Sequence, residues 1–211
     1  MSVPRLLALS LFLAVAATGA RAEGFSVALR GFPVGTLHVD AEIDGGRFDF
    51  KSQFQTTGVV GILARVRFLM RSTGTVRGHM PEPVAYAEQM NTGARVSDAN
   101  IRFAPGDPRW DPNTALVYAF TPRPVEAGCA LRVRIFDGAR TTDVVARETA
   151  RAGGRVICRG ALIRVDGFSA AAMADTRQHA FTATYEARGD RLVLAMLETE
   201  TDYGPVTLTP R

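Results

Sequence analysis

The chain has 211 residues, 46% hydrophobic and 22% charged, with a formal net charge of +4. That is the composition of a globular chain holding one large domain, and it excludes a disordered or fibrous polypeptide. Lys51 is the single lysine, and the arginines are interspersed with acids; without a basic run, the electrostatic footprint of a nucleic-acid-binding surface is missing.

The first 22 residues read as a secretory leader. Arg5 precedes an apolar run from Leu6 to Val15, and small residues follow, ending Ala20-Arg21-Ala22, an Ala-x-Ala cleavage site. The apolar run is too short to span a bilayer, and no cysteine follows the cleavage site to carry a lipid anchor. The mature chain is expected to begin at Glu23 and to form one β-rich domain over 23–211. It would be soluble, without a transmembrane segment, in the periplasm, where thiols are oxidised.

Apolar and polar residues then alternate. Phe25, Val27 and Leu29 share one strand face; Leu37, Val39, Ala41 and Ile43 share another. Gly45-Gly46 predicts a two-residue hairpin loop. In that register Ile43 faces Phe48, Ala41 faces Phe50, Leu37 faces Phe54 and Asp40 faces Lys51. Glu42 then opposes Asp49, a like-charge pair that counts against the register. The period changes at Thr57: Val59, Ile62, Leu63 and Val66 stand at helical spacing, with Thr57 as cap. This short apolar helix is expected inside a curved sheet, as plug or lid. Phe68 to Arg77 reads as a strand, Gly78 to Pro83 as a loop, and Thr92-Gly93 as the centre of a further hairpin.

Asp111-Pro112 supplies an N-cap and a first-turn proline for a short helix to Phe120. A Pro-rich connection leads to Cys129. Asp137-Gly138 predicts a type I′ hairpin, with Leu131 facing Val144, Val133 facing Thr142, Cys129 facing Ala146 and Arg132 facing Asp143. Gly153-Gly154 turns the chain into a third strand. A helical turn or two follows Ser169, and a last long hairpin around Arg188-Gly189 precedes a short strand from Val206 to Thr209. The sum is about ten strands, joined mostly by tight hairpins, with one or two short helices. So many consecutive, long, antiparallel strands curl into a half-barrel or open barrel in preference to a sandwich.

Cys129 and Cys158 are the only cysteines. Export and the even count favour a structural disulfide over two separate buried thiols. In a plain three-strand meander their strands are two spacings apart, roughly 9.6 Å, beyond the reach of about 4.4–6.8 Å between bridged Cα atoms. A bulge, a strand end or a different strand order has to bring them together.

Several stretches, in order, resemble the domain of unknown function 3108 family of exported bacterial proteins. They are FSVALRGFPVG at 25–35, the turn at Thr56–Gly58, Asp111-Pro112 ahead of a helix, and IFDGAR at 135–140. Cys158, Val165–Phe168 and the terminal YGPVTL at 203–208 complete the set. The resemblance covers most of the mature chain. It implies an all-β exported protein and carries over no catalytic residues; Asp137, Gly138 and Arg140 match its Asp-Gly-x-Arg turn.

No nucleophile elbow, Cys-x-x-Cys, phosphate loop or metal-ligand spacing is present, and His38, His79 and His179 are scattered. No catalytic residue, metal or cofactor is expected. Phe48, Phe50 and Phe54 read as core, or else as the wall of an acyl-chain cavity with Arg65, Arg67 and Arg71 at its mouth. The functional expectation is a non-catalytic protein holding an apolar, lipid-like ligand or a cell-envelope component. The alternative is an assembly protein that docks a partner through a sheet edge; a small periplasmic hydrolase is the third reading.

Overall fold

The structure is a computed structural model that describes residues 21–58, 61, 65–93, 96–201 and 203–211. Residues 1–20 of the expected 1–22 leader lie outside the described residues, and so do Val59, Ile62 and Leu63 of the expected plug helix; Arg21 and Ala22 open the first strand. One helical hydrogen bond remains there, from Gly61 N–H to the Thr57 carbonyl at 3.1 Å.

The first half of the chain is a six-strand meander: β1 (Arg21–Leu29), β2 (Phe32–Asp44), β3 (Arg47–Thr56), β4 (Arg67–Arg77), β5 (Met80–Asn91) and β6 (Val96–Arg102). Helix α1 (Pro112–Phe120) follows, then a two-residue strand, β7 (Arg123–Pro124), and a 3-10 turn (Val125–Ala127). The second half holds β8 (Leu131–Phe136), β9 (Thr141–Ala152), β10 (Arg155–Asp166), helix α2 (Ala170–Asp175), β11 (Gln178–Arg188), β12 (Arg191–Thr201) and β13 (Gly204–Pro210). All belong to one sheet of 13 strands, ordered β6-β5-β4-β3-β2-β1-β13-β12-β11-β10-β9-β8, with β7 paired to β12 off that path. Every strand pairing is antiparallel, and β1 against β13 joins the two meanders. The sheet is not closed, and the strand number exceeds the expected ten or so.

The sheet must curl. Helix α1 packs against β2, β3, β4 and β5 from one half and against β8 and β12 from the other. Laid flat, β5 and β8 would stand about 48 Å apart at a strand spacing of about 4.8 Å, whereas a helix of 9 residues is only about 13 Å long. The two edges also approach each other. A side chain at Gly138, in the β8–β9 loop, would lie 3.2 Å from Ile101 on β6. The segment before α1 runs parallel to β8: Trp110 N–H donates to the Arg134 carbonyl, and Phe136 N–H donates to Trp110, both at 2.8 Å. Bulges at Val27/Ala28, Thr73/Gly74, Ile157/Cys158 and Thr184/Tyr185 add bend.

The Gly45-Gly46 register is the one expected, with Ile43 on Phe48, Ala41 on Phe50 and Leu37 on Phe54. Gly153-Gly154 likewise turns in two residues, both at positive φ. The Asp137-Gly138 hairpin differs. Leu131 faces Ala146, Val133 faces Val144, and Arg134, not Arg132, faces Asp143. A type I′ turn needs positive φ at both central residues, and only Gly138 has it. Asp137 instead accepts the N–H groups of Ala139 (2.9 Å) and Arg140 (2.6 Å), an Asx turn that lengthens the loop to 137–140. The displacement is two residues, so each side chain keeps its face. The expected loop from Gly78 to Pro83 is also shorter: Pro81 and Pro83 lie in β5, opposite Val76 and Gly74.

The main core lies between α1 and the inner face of both half-sheets. It contains Phe25, Leu37, Val39, Phe48, Phe50, Val117, Phe120, Tyr185, Leu192 and Leu194, all buried.

Candidate functional site

Helix α1 has two faces with different chemistry. At its N-terminus Asp111 caps the helix through Thr114 N–H (2.8 Å) and accepts the hydroxyls of Thr114 (2.6 Å) and Ser72 (2.5 Å). Asn113 accepts the Ser52 hydroxyl at 2.6 Å and donates at 3.0 Å both to the Phe50 carbonyl and to Ser72 Oγ. Ser52, Ser72, Asp111, Asn113 and Thr114 are all buried. A serine, a carboxylate and an amide in one network suggest a hydrolase, but each group is satisfied by its neighbours and sealed from solvent. The network fastens the helix to β3 and β4.

The opposite face of α1 looks onto an apolar cavity of about 310 Å³. Its floor is the inner face of the second half-sheet, built by two-residue alternation: Val144 and Ala146 on β9, Cys158 and Leu162 on β10, Phe181, Ala183 and Tyr185 on β11. Its roof is Ala115, Leu116 and Ala119 of α1. The space exists because four residues facing it are alanines. Ala115 and Ala119 stand one turn apart on the helix, and Ala146 and Ala183 lie on β9 and β11. Larger side chains there would close it. The volume is about twice that of an apolar cavity of about 150 Å³ that binds benzene, and falls at the small end of ligand pockets.

Among the described residues that line the cavity, one is charged. Arg123, on β7, is 7% exposed. Its guanidinium carbon lies 5.0 Å from the Tyr118 ring centre and 4.5 Å from that of Tyr185. Nη1 donates to the Tyr118 carbonyl at 3.2 Å, and Nε is buried without a hydrogen bond. The Tyr185 hydroxyl donates to the Ala119 carbonyl at 3.1 Å; burial raises its pKa, opposed by the charge of Arg123.

Cys129 and Cys158 are bridged, with Cα atoms 6.2 Å apart, and both line the cavity. The two-spacing difficulty is resolved at a strand end and a bulge: Cys129 precedes β8, and the β9–β10 register shifts between Ile157 and Cys158.

Phe48, Phe50 and Phe54 on β3 are core, the first of the two expected readings, and not a cavity wall. Phe48 stacks on Phe50 at 4.2 Å and Phe54 on Phe68 at 5.5 Å. Of the arginines expected at a mouth, Arg71 is bound to Asp49, and Arg65 and Arg67 are exposed; none lines the cavity. His38 is on β2, His79 in the β4–β5 turn and His179 on β11, and none lines the cavity either. Two larger depressions, about 630 and 640 Å³, lie over alternating residues of the outer sheet face. The first is bordered by His38, Asp40 and Arg71, the second by Arg132, Arg147 and Arg159.

Fold and site together define an open antiparallel barrel wrapped about one helix, with an apolar chamber on one side of that helix. Comparison with protein-family models, curated proteins and solved structures finds no match.

Proposed function

We propose that the protein is a non-catalytic periplasmic binding protein that holds an apolar, lipid-like ligand in the chamber between α1 and strands β8–β12. The observation that carries this reading is the unfilled apolar space beside an otherwise packed core. A solvent-open pocket lined by alanines and aliphatic side chains leaves apolar surface uncovered, which a ligand would bury. The leader-like N-terminus, the Cys129–Cys158 bridge and the resemblance to exported domain of unknown function 3108 proteins all agree with a periplasmic site of action. The closed hydrogen bonding of Ser72, Asp111 and Asn113 supports a structural role for that network.

Docking through a sheet edge is the second reading. The β8 edge is occupied by Trp110, which leaves β6, where Val96 is 77% exposed. The edge strand is short, with charged Asp98 and Arg102 along it, features that discourage strand addition.

The test is native mass spectrometry and solvent extraction of the protein purified from its own periplasm, beside the cavity-filling variant Ala183→Leu. The expected result is an apolar molecule carried by the wild type and lost in the variant. A wild type that carries nothing, and that takes up no apolar probe when one is supplied, overturns the reading.

A further inference from the structure

The geometry points to Arg123 as the anchor for an anionic head group: we infer that the ligand is an amphiphile with one acidic head on an apolar chain. This rests on the chamber being a binding site and specifies what enters it. Arg123 is a guanidinium cation that is only 7% exposed. A buried cation is normally met by a carboxylate. Here its contacts are all neutral: the Tyr118 carbonyl, the faces of two tyrosine rings and the Tyr185 hydroxyl. Among the described residues no acid forms an ion pair with it, and its Nε has no acceptor.

The placement is specific. Arg123 is held by the backbone pairing of β7 with Leu192 and by Val125 N–H donating to the Asp190 carbonyl at 2.9 Å. Tyr118 and Tyr185 clasp the guanidinium from their faces, which leaves its edge, where the N–H groups point, as the direction for an acceptor. Apart from Thr199 the remaining described lining is apolar or aromatic and carries no charge, so a second charge on the ligand would find no ionic partner. A carboxylate and a phosphate monoester share the required chemistry, since both accept from a guanidinium in a charge-assisted geometry.

The experiment is calorimetric titration of the oxidised full chain with dodecanoate, dodecyl phosphate and dodecanol, each below its micellar concentration. The three share one tail and differ in head. At least one anion is expected to bind about tenfold tighter than the alcohol, and whichever anion leads names the head group. In Arg123→Met that advantage is expected to fall to about twofold or less, and in Arg123→Lys to survive in part because the charge remains. Equal affinity for all three ligands in the wild type overturns the anchor and leaves the chamber reading standing. Failure of all three to bind overturns both. If Arg123→Met does not fold, the wild-type comparison of heads decides alone.

Discussion

Asp111 and Ser72 are 39 positions apart in sequence and 2.5 Å apart through a carboxylate-hydroxyl hydrogen bond. The same carboxylate caps α1, so one buried side chain sets both where the helix begins and where it lies on β4. Asp111→Ala would remove the cap and strand the Ser72 and Thr114 hydroxyls without an acceptor. We expect a loss of about 2–5 kcal/mol, the lost cap together with the unsatisfied buried donors. Asp111→Asn keeps an acceptor and should cost less. Urea unfolding of the pair checks the order; equal losses would show that the charge, not the acceptor, matters.

Burial pushes the Asp111 carboxyl above its ordinary value of 3.8, with the hydrogen bonds from Ser72 and Thr114 pulling the other way. The folded protein therefore holds this proton more tightly than the unfolded chain does. The stability it contributes is fully present below the unfolded pKa and is lost as pH rises through the folded one. Asp49, Asp107, Asp143 and Glu148 are shifted down by their arginine partners and act oppositely, but they are common to wild type and Asp111→Asn. The stability of the wild type minus that of Asp111→Asn should fall as pH rises from below 3.8 and then level off. A difference that grows with pH would contradict the shift.

Gly160 on β10 faces Phe181 on β11. A methyl group there would overlap both the Phe181 ring and the Val145 carbonyl. The ring lies over bare backbone, a pairing repeated where Phe48 faces Gly74 on β4. Phe181 can rotate, but Val145 is fixed in the β9 ladder. Gly160→Ala should destabilise by about 1–3 kcal/mol through overpacking, as a lower denaturation midpoint at unchanged slope.

The parts legible in the sequence are those decided within one hairpin. Gly45-Gly46 fixes its own register because both residues adopt positive φ. Even the awkward Glu42–Asp49 opposition is real. It is offset by Arg71 on the following strand, which grips Asp49 at 2.9 and 2.6 Å, a partner that no two-strand reading contains. At Asp137-Gly138 the dipeptide favoured one turn, while the aspartate side chain selected another. The chamber was hidden for a different reason. It is made by what Ala115, Ala119, Ala146 and Ala183 leave empty, and three separate elements must meet before small side chains become a space. Arg123, between two prolines, has no local mark to distinguish it from the other arginines; its burial comes from β7 lying against β12.

The bridge between Cys129 and Cys158 closes a loop of sequence separation 29. Constraining a loop of that length in the unfolded chain is worth about 3–4 kcal/mol on the chain-entropy account. Cys158 is 1% exposed, so reduction in the native state should be slow and limited by opening. Cys129→Ala/Cys158→Ala should lose about that much stability by the same model. It should also loosen the chamber wall. Unfolding the oxidised and doubly substituted proteins in parallel measures the first effect, and dodecanoate affinity the second.

Arg147 on β9 stands directly opposite Arg159 on β10, and Arg132 on β8, opposite Val145 on β9, is diagonal to Arg147. All three are exposed, and none forms an ion pair among the described residues. Like charges facing each other across strands are destabilising. Arg147→Glu would turn that repulsion into an attraction with Arg159 and bring an acid toward Arg132. The expected gain is about 0.2–1 kcal/mol at low salt, with Arg147→Gln gaining part of it by removing the repulsion alone. In 1 M salt the screening length falls to about 3 Å, so both gains should shrink. A gain that persists undiminished at high salt would mean that the arginine side chain is held in strain by packing, because only the electrostatic part responds to screening.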